Sequence, residues 1–173
     1  MKFFIKKRGF TLIEVLIVVV IVTILASIVL FAINPGKSIL NSQEARANTE
    51  LNQIRTALFM YFYENKSWPA DVSRGLPNGL EEYLGPGEWP DAPFNDVSEY
   101  DWDNFTGSDG NQVLQISIRF CPLGQPSQCK FPDAEWAEDF DYYSSYYFCV
   151  QGICKAHPDR PDNHPAYCVN CGS

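Results

Sequence analysis

The pattern of hydrophobic and polar positions changes character along the chain. From Phe10 to Ile33 it is almost continuously apolar, with Thr11, Glu14, Thr23 and Ser27 as the only polar side chains. About 20 such residues suffice to cross a hydrocarbon core, so this run predicts a membrane-spanning helix. From Lys37 the pattern becomes amphipathic. Leu40, Ala47, Leu51, Ile54, Leu58 and Tyr61 or Phe62 recur at helical spacing, with Glu44, Arg46, Asn48, Glu50, Asn52 and Arg55 between them. Asn34-Pro35-Gly36 lies between the two patterns and is too short to be a linker. A proline there predicts a kink or local melt, because it removes a backbone donor and clashes with the carbonyl four residues back. The expectation is one long helix, its first half in lipid and its second half laying an apolar stripe on a domain.

Asn65-Lys66-Ser67-Trp68-Pro69 ends that helix with turn formers and a proline, and a Pro/Gly-rich region follows to about Phe94. Within it, residues 79–84 predict one or two helical turns. Three strand candidates come next. Glu99 to Phe105 is aromatic-rich, Val113 to Phe120 alternates strictly, and Tyr146 to Lys155 centres on a Gln151-Gly152 turn. Thr106 to Asn111 reads as the turn between the first two. Sequential strands joined by short turns favour an antiparallel meander with one apolar face on the long helix. The fold class is therefore α+β, and the cluster Tyr142, Tyr143, Tyr146, Tyr147 and Phe148 reads as core and strand-face packing.

Charge and the acid in the apolar run change this picture. Of 13 basic residues, four (Lys2, Lys6, Lys7, Arg8) precede Gly9, where there is no acid; the remainder sets nine basic against 21 acidic residues, a formal charge of −12. Such a surface repels nucleic acid and anionic lipid, so no direct nucleic-acid partner is expected. An ionised carboxylate inside a membrane costs roughly 2.5 to 3.5 kcal/mol on insertion scales. Glu14 is thus expected to have a partner, supplied by assembly or by the chain's own terminus.

Lys7-Arg8-Gly9-Phe10-Thr11-Leu12-Ile13-Glu14-Val15 resembles the processing motif of type IV prepilins and type II secretion pseudopilins. The resemblance rests on a basic leader ending in glycine, a phenylalanine, and a glutamate five residues into the mature chain. It implies cleavage after Gly9 by a prepilin peptidase, methylation of the new amine at Phe10, and a role for Glu14 in assembly, neutralising a neighbouring subunit's terminus. The physics agrees: an ammonium and a carboxylate attract strongly in low dielectric, whereas either alone is costly to bury. The order of helix, Asn-x-x-aromatic-Pro turn, short helix and Pro-Asp-x-Pro-aromatic segment also resembles the globular domain of major pseudopilins and short type IV pilins.

The organisation implied is a leader at 1–9, a transmembrane and assembly half at 10–33, an amphipathic half at 34–64, and a pilin-like globular region with a Cys-rich tail at 65–173. The function implied is that of a structural subunit of a type IV pilus or pilus-like filament, with a type II secretion pseudopilin as the alternative. Its partners would be identical or homologous pilin subunits, the peptidase, an assembly ATPase and an inner-membrane platform protein. It would start as a single-pass cytoplasmic-membrane protein, N-terminus inside and domain exported, and end in an extracellular filament or a cell-envelope pseudopilus. Two plainer accounts compete. A secretory signal has an apolar core of about 7 to 15 residues and a small-x-small site, whereas this run is longer and Glu14 interrupts it. A simple anchor, oriented by its four basic residues, explains topology but not Glu14.

All six cysteines, Cys121, Cys129, Cys149, Cys154, Cys168 and Cys171, lie in the C-terminal third. In an exported segment they read as a disulfide framework. Cys149 and Cys154 are the best local pair if Gln151-Gly152 is a hairpin turn, because the two then face each other across it. Cys121 with Cys129 would close a Pro/Gly loop, leaving Cys168 and Cys171 for each other or for cross-links to the first four. The rival is zinc, held by Cys149, Cys154, Cys168 and Cys171 with His157 and His164 nearby, in a membrane-anchored metal-binding protein. Asp101, Asp103, Asn104 and Asp109 offer hard oxygens, and the resemblance implies a calcium loop in this domain. Calcium takes six to eight oxygens, no ordered ligand spacing is visible, and a solvated acidic loop is the expectation. No cofactor is therefore assigned, with calcium and zinc as the alternatives. No catalytic constellation is present, and the chain reads as a non-enzyme.

Overall fold

The computed structural model describes residues 9–32, 35–85, 89–91, 93–107, 110–152, 154 and 164–171, without the side chains of 30–32. The basic leader residues, Ile33, Asn34, Asp109, Ile153, Lys155 and His157 lie outside the described residues. The chain divides into two compact units, Met1–Ile39 and Leu40–Ser173.

In the first unit, helix α1 spans Leu12–Ala32. Its stretch Leu12–Val29 is long and apolar enough to cross a membrane, and none of it is buried within the chain. The two mid-helix hydroxyls are satisfied locally: Thr23 Oγ1 donates to the Val20 carbonyl at 2.8 Å and Ser27 Oγ to the Ile24 carbonyl at 2.7 Å. This removes the cost of bare hydroxyls in an apolar medium. Helix α2 spans Pro35–Asn65. Pro35 is the first described residue of α2, and Ile33 and Asn34, which precede it, lie outside the described residues.

In the second unit, Ala47, Leu51, Ile54, Ala57 and Leu58 of α2 are buried against a four-stranded sheet. Strand β1 is Glu99–Thr106, β2 Gln112–Arg119, β3 Ser145–Gly152 and β4 Ala166–Cys168, in the spatial order β1-β2-β3-β4. The core-facing set is Tyr100 and Trp102 of β1, Leu114, Ile116 and Ile118 of β2, and Tyr146, Phe148 and Val150 of β3. Period-two alternation puts these on one face. A single 3-10 turn at Glu81–Tyr83 stands where the short helix was expected.

Two features differ from the expected meander. The first three strands are antiparallel, but β4 runs parallel to β3, pairing Ser145 with Ala166 and Tyr147 with Cys168. The expected hairpin at Gln151-Gly152 is absent, because β3 continues through both residues, which pair with Leu114 and Val113 of β2. A bulge at Val150 shifts the register between Leu114 and Gln115, which lets β3 continue along β2. Gly152 ends the strand at φ +83°, with the position of a Cβ only 2.9 Å from the Gln112 carbonyl oxygen.

Candidate functional site

At the start of α1, Thr11 is the N-cap and Glu14 the third helical residue. Glu14 Oε2 accepts hydrogen bonds from the backbone N–H and the hydroxyl of Thr11, both at 2.8 Å, and the Glu14 N–H donates to Thr11 Oγ1 at 3.3 Å. This reciprocal arrangement is a capping box, which satisfies two orphan helix-end groups at once. The acid also lies at the positive end of the helix dipole. Glu14 thus has partners within its own chain, in addition to any supplied by a neighbour or the chain terminus. The signal was present as Thr11-Leu12-Ile13-Glu14, a T-x-x-E pattern opening an apolar run. Phe10 beside it is 86% exposed, and a Cβ at Gly9 would meet nothing within 4 Å.

The face of the sheet away from α2 carries a second cluster. Asp101 and Asp103 on β1 and Gln115, Ser117 and Arg119 on β2 are all buried. Arg119 Nε donates to Asp101 Oδ2 at 3.0 Å, and Nη2 to Asp103 Oδ1 at 3.4 Å. Asp103 Oδ2 also accepts from Ser117 Oγ at 2.6 Å and Gln115 Nε2 at 3.0 Å, and Asp101 Oδ1 from the Gly75 N–H at 3.0 Å. Burial pushes the Asp101 carboxyl up to about 7, with the Asp103 charge adding to the rise and Arg119 and Arg74 opposing it. A cleft of about 200 Å³ opens here, lined by Arg74, Tyr142 and Tyr143 among others. This corrects the expectation of a solvated acidic loop: Asp101 and Asp103 are strand residues pinned by an arginine. Loop 71–75 buries them by crossing the outer edge of β1, where Trp102 N donates to the Gly75 carbonyl and Asn104 N to Asp71 Oδ1.

Three disulfides join Cys121 to Cys129, Cys149 to Cys154 and Cys168 to Cys171. The Cys149–Cys154 bridge is not a cross-strand pair of a hairpin, since Cys149 is within β3 and Cys154 lies past its end. With every cysteine bridged, no thiolate is left for the zinc arrangement. His164 instead faces Asp141, Nδ1 to Oδ2 at 2.6 Å. Among the described residues, no three His, Cys, Asp or Glu side chains converge as a metal site.

Residues 5–30 match the family described as the prokaryotic N-terminal methylation motif. The chain carries the prepilin-type N-terminus. Over 76 residues it is also 34% identical to type II secretion system core protein G of Escherichia coli (strain K12), covering 44% of this chain and 50% of that protein. The chain thus spans about half the length of the curated relative it matches. No solved structure matches it. Among the described residues one helix, α1, is long and apolar enough to cross a membrane, and it lies within and just beyond the matched motif. The capping box is compatible with prepilin cleavage after Gly9, because the Thr11 N–H is a peptide group before and after that cut.

Proposed function

We propose that this chain is a structural subunit of a prepilin-type filament, matured by cleavage after Gly9 and methylation at Phe10, and polymerised through α1. The observation that carries this reading is an apolar helix with no buried face of its own that begins on a carboxylate held in a capping box. A helix apolar all round requires an apolar surrounding, first lipid and then neighbouring helices. Head-to-tail contacts that do not close a ring give an open filament. Glu14, positioned by Thr11 at the membrane face, offers a charge to the amine of an incoming subunit. Among the described residues, no atom lies within 4 Å of a Cβ at Gly9, which fits a glycine required by a peptidase.

In this reading residues 1–9 are the leader, 10–33 the transmembrane and assembly half, 34–64 the amphipathic half and 65–173 the exported region. Three disulfides suit an oxidising destination. Membrane extraction calls for an ATPase and a platform protein in addition to the peptidase. Between the two filament classes, the likeness to core protein G favours a type II secretion pseudopilus over a surface pilus.

Mass spectrometry of the protein from membranes, without reductant, tests the maturation: the expected N-terminus is a methylated Phe10, and an intact residue 1 or a cut elsewhere overturns it. Glu14→Ala is expected to leave processing unchanged and to abolish or slow polymerisation; normal filaments from that variant would sink the assembly role. Deletion of the chain separates the two classes. Loss of protein export indicates a pseudopilus, and loss of surface fibres containing the chain indicates a pilus.

A further inference from the structure

After β3, the chain returns to the sheet as Ala166–Cys168 and ends its described course in Cys168-Val169-Asn170-Cys171. Among the described residues, strand β4 pairs with Ser145 to Tyr147, and the Val169 N–H donates to the Tyr147 carbonyl at 2.9 Å. Beyond that point a side chain takes over. Asn170 Oδ1 accepts from the Cys149 N–H at 2.8 Å, and Asn170 Nδ2 donates to the Cys149 carbonyl at 2.9 Å. The amide group imitates a strand backbone and closes an edge that would otherwise present a bare donor and acceptor.

We propose that Cys168–Cys171 is a thiol–disulfide exchange site, and that its reduction by a dithiol unlatches Asn170 from the edge of β3. Three observations carry this. The bridge spans a separation of three residues, against eight for Cys121–Cys129 and five for Cys149–Cys154. The fold strengthens a bridge least when the loop it closes is shortest, because that cross-link removes least entropy from the unfolded chain. Cys171 is exposed, whereas Cys121 is fully buried and the other four cysteines are half-buried. Attack needs access to a sulfur. Finally, the bridge encloses Asn170 on both sides, so it fixes the latch in register.

In the exchange, a thiolate of the dithiol attacks Sγ of Cys171 and the Cys168–Cys171 bond breaks. The electron pair passes to Sγ of Cys168, which takes up a proton. The second thiol of the reductant then attacks the mixed disulfide, freeing Cys171 as a thiol and leaving the reductant as its own disulfide. Two hydrogen bonds then stand against the backbone entropy of a loop no longer tied, and the latch opens. The exposed N–H and C=O of Cys149 become a template for an extended segment. None of this depends on the filament reading.

The test uses the full chain in detergent, treated with graded dithiothreitol, with freed thiols alkylated and mapped by mass spectrometry and amide exchange followed in parallel. Cys168 and Cys171 are expected to be alkylated at concentrations that leave the other two bridges closed. Exchange at Cys149 should then accelerate roughly tenfold or more, with Ile116 and Ile118 unchanged. Asn170→Ala, with all bridges intact, should expose Cys149 without reductant. Opening of Cys168–Cys171 no earlier than the other bridges overturns the proposal. So does unchanged protection at Cys149 after that opening, or in Asn170→Ala.

Discussion

Arg119 on β2 donates to Asp101 on the neighbouring strand at 3.0 Å while its other nitrogen reaches Asp103, and all three side chains are buried on the sheet face opposite α2. One guanidinium thereby serves two carboxylates, each also held by neutral donors from Gly75, Ser117 and Gln115. The sheet is filled on both faces, one by aromatic and aliphatic side chains and the other by a charged network.

Removing the arginine leaves two acids without their cation. Arg119→Met is expected to destabilise the chain by about 3 to 5 kcal/mol, the usual cost of breaking a buried pair from one side. Thermal unfolding in detergent measures it. The triple variant with Asp101→Asn and Asp103→Asn should recover part of the loss, and a triple variant no more stable than the single one would contradict the network.

Asp101 also sets a pH dependence. Its carboxyl is raised from 3.8 to about 7 in the folded chain, first by burial and then by the Asp103 charge. The folded state therefore holds this proton more tightly than the unfolded one, so the stability it contributes is present below about pH 4 and lost as pH rises through about 7. Melting temperatures of wild type and Asp101→Asn across that window should differ in slope, the wild type losing more stability towards neutral pH. Parallel curves would remove Asp101 from this role.

The capping box makes a separate claim. Thr11→Ala removes the hydroxyl that receives the Glu14 N–H, and is expected to cost about 1 kcal/mol of helix stability, while Thr11→Ser restores it. Amide exchange at Leu12 to Val15 in detergent reads the fraying directly. Equal protection in Thr11→Ala and wild type would show that Glu14 is held by something else.

Gly152 closes β3 in a conformation that other residues adopt at a cost. Gly152→Ala combines φ +83° with a Cβ 2.9 Å from the Gln112 oxygen, and about 1 to 3 kcal/mol of destabilisation is expected. Denaturant unfolding checks it, and a change below a few tenths of a kcal/mol would mean that the strand end relaxes freely.

Local pattern alone determined the apolar helix, the stripe Ala47, Leu51, Ile54 and Leu58, the first two strands, and the match of the N-terminal residues to the methylation motif. Each depends on periodicity or on a short contiguous motif, and both are properties of neighbours along the chain. The capping box was equally local, written in Thr11 and Glu14. Tertiary structure decided the rest. Asp101 and Asp103 are acidic residues near a turn by composition, and they become buried only because loop 71–75 and Arg119, distant in sequence, close over them. Gln151-Gly152 has the residues of a hairpin turn, yet β2 offered pairing through Gly152 and the strand ran on. The parallel return of β4, and the Asn170 amide gripping Cys149, depend on a long-range encounter that no local spacing encodes.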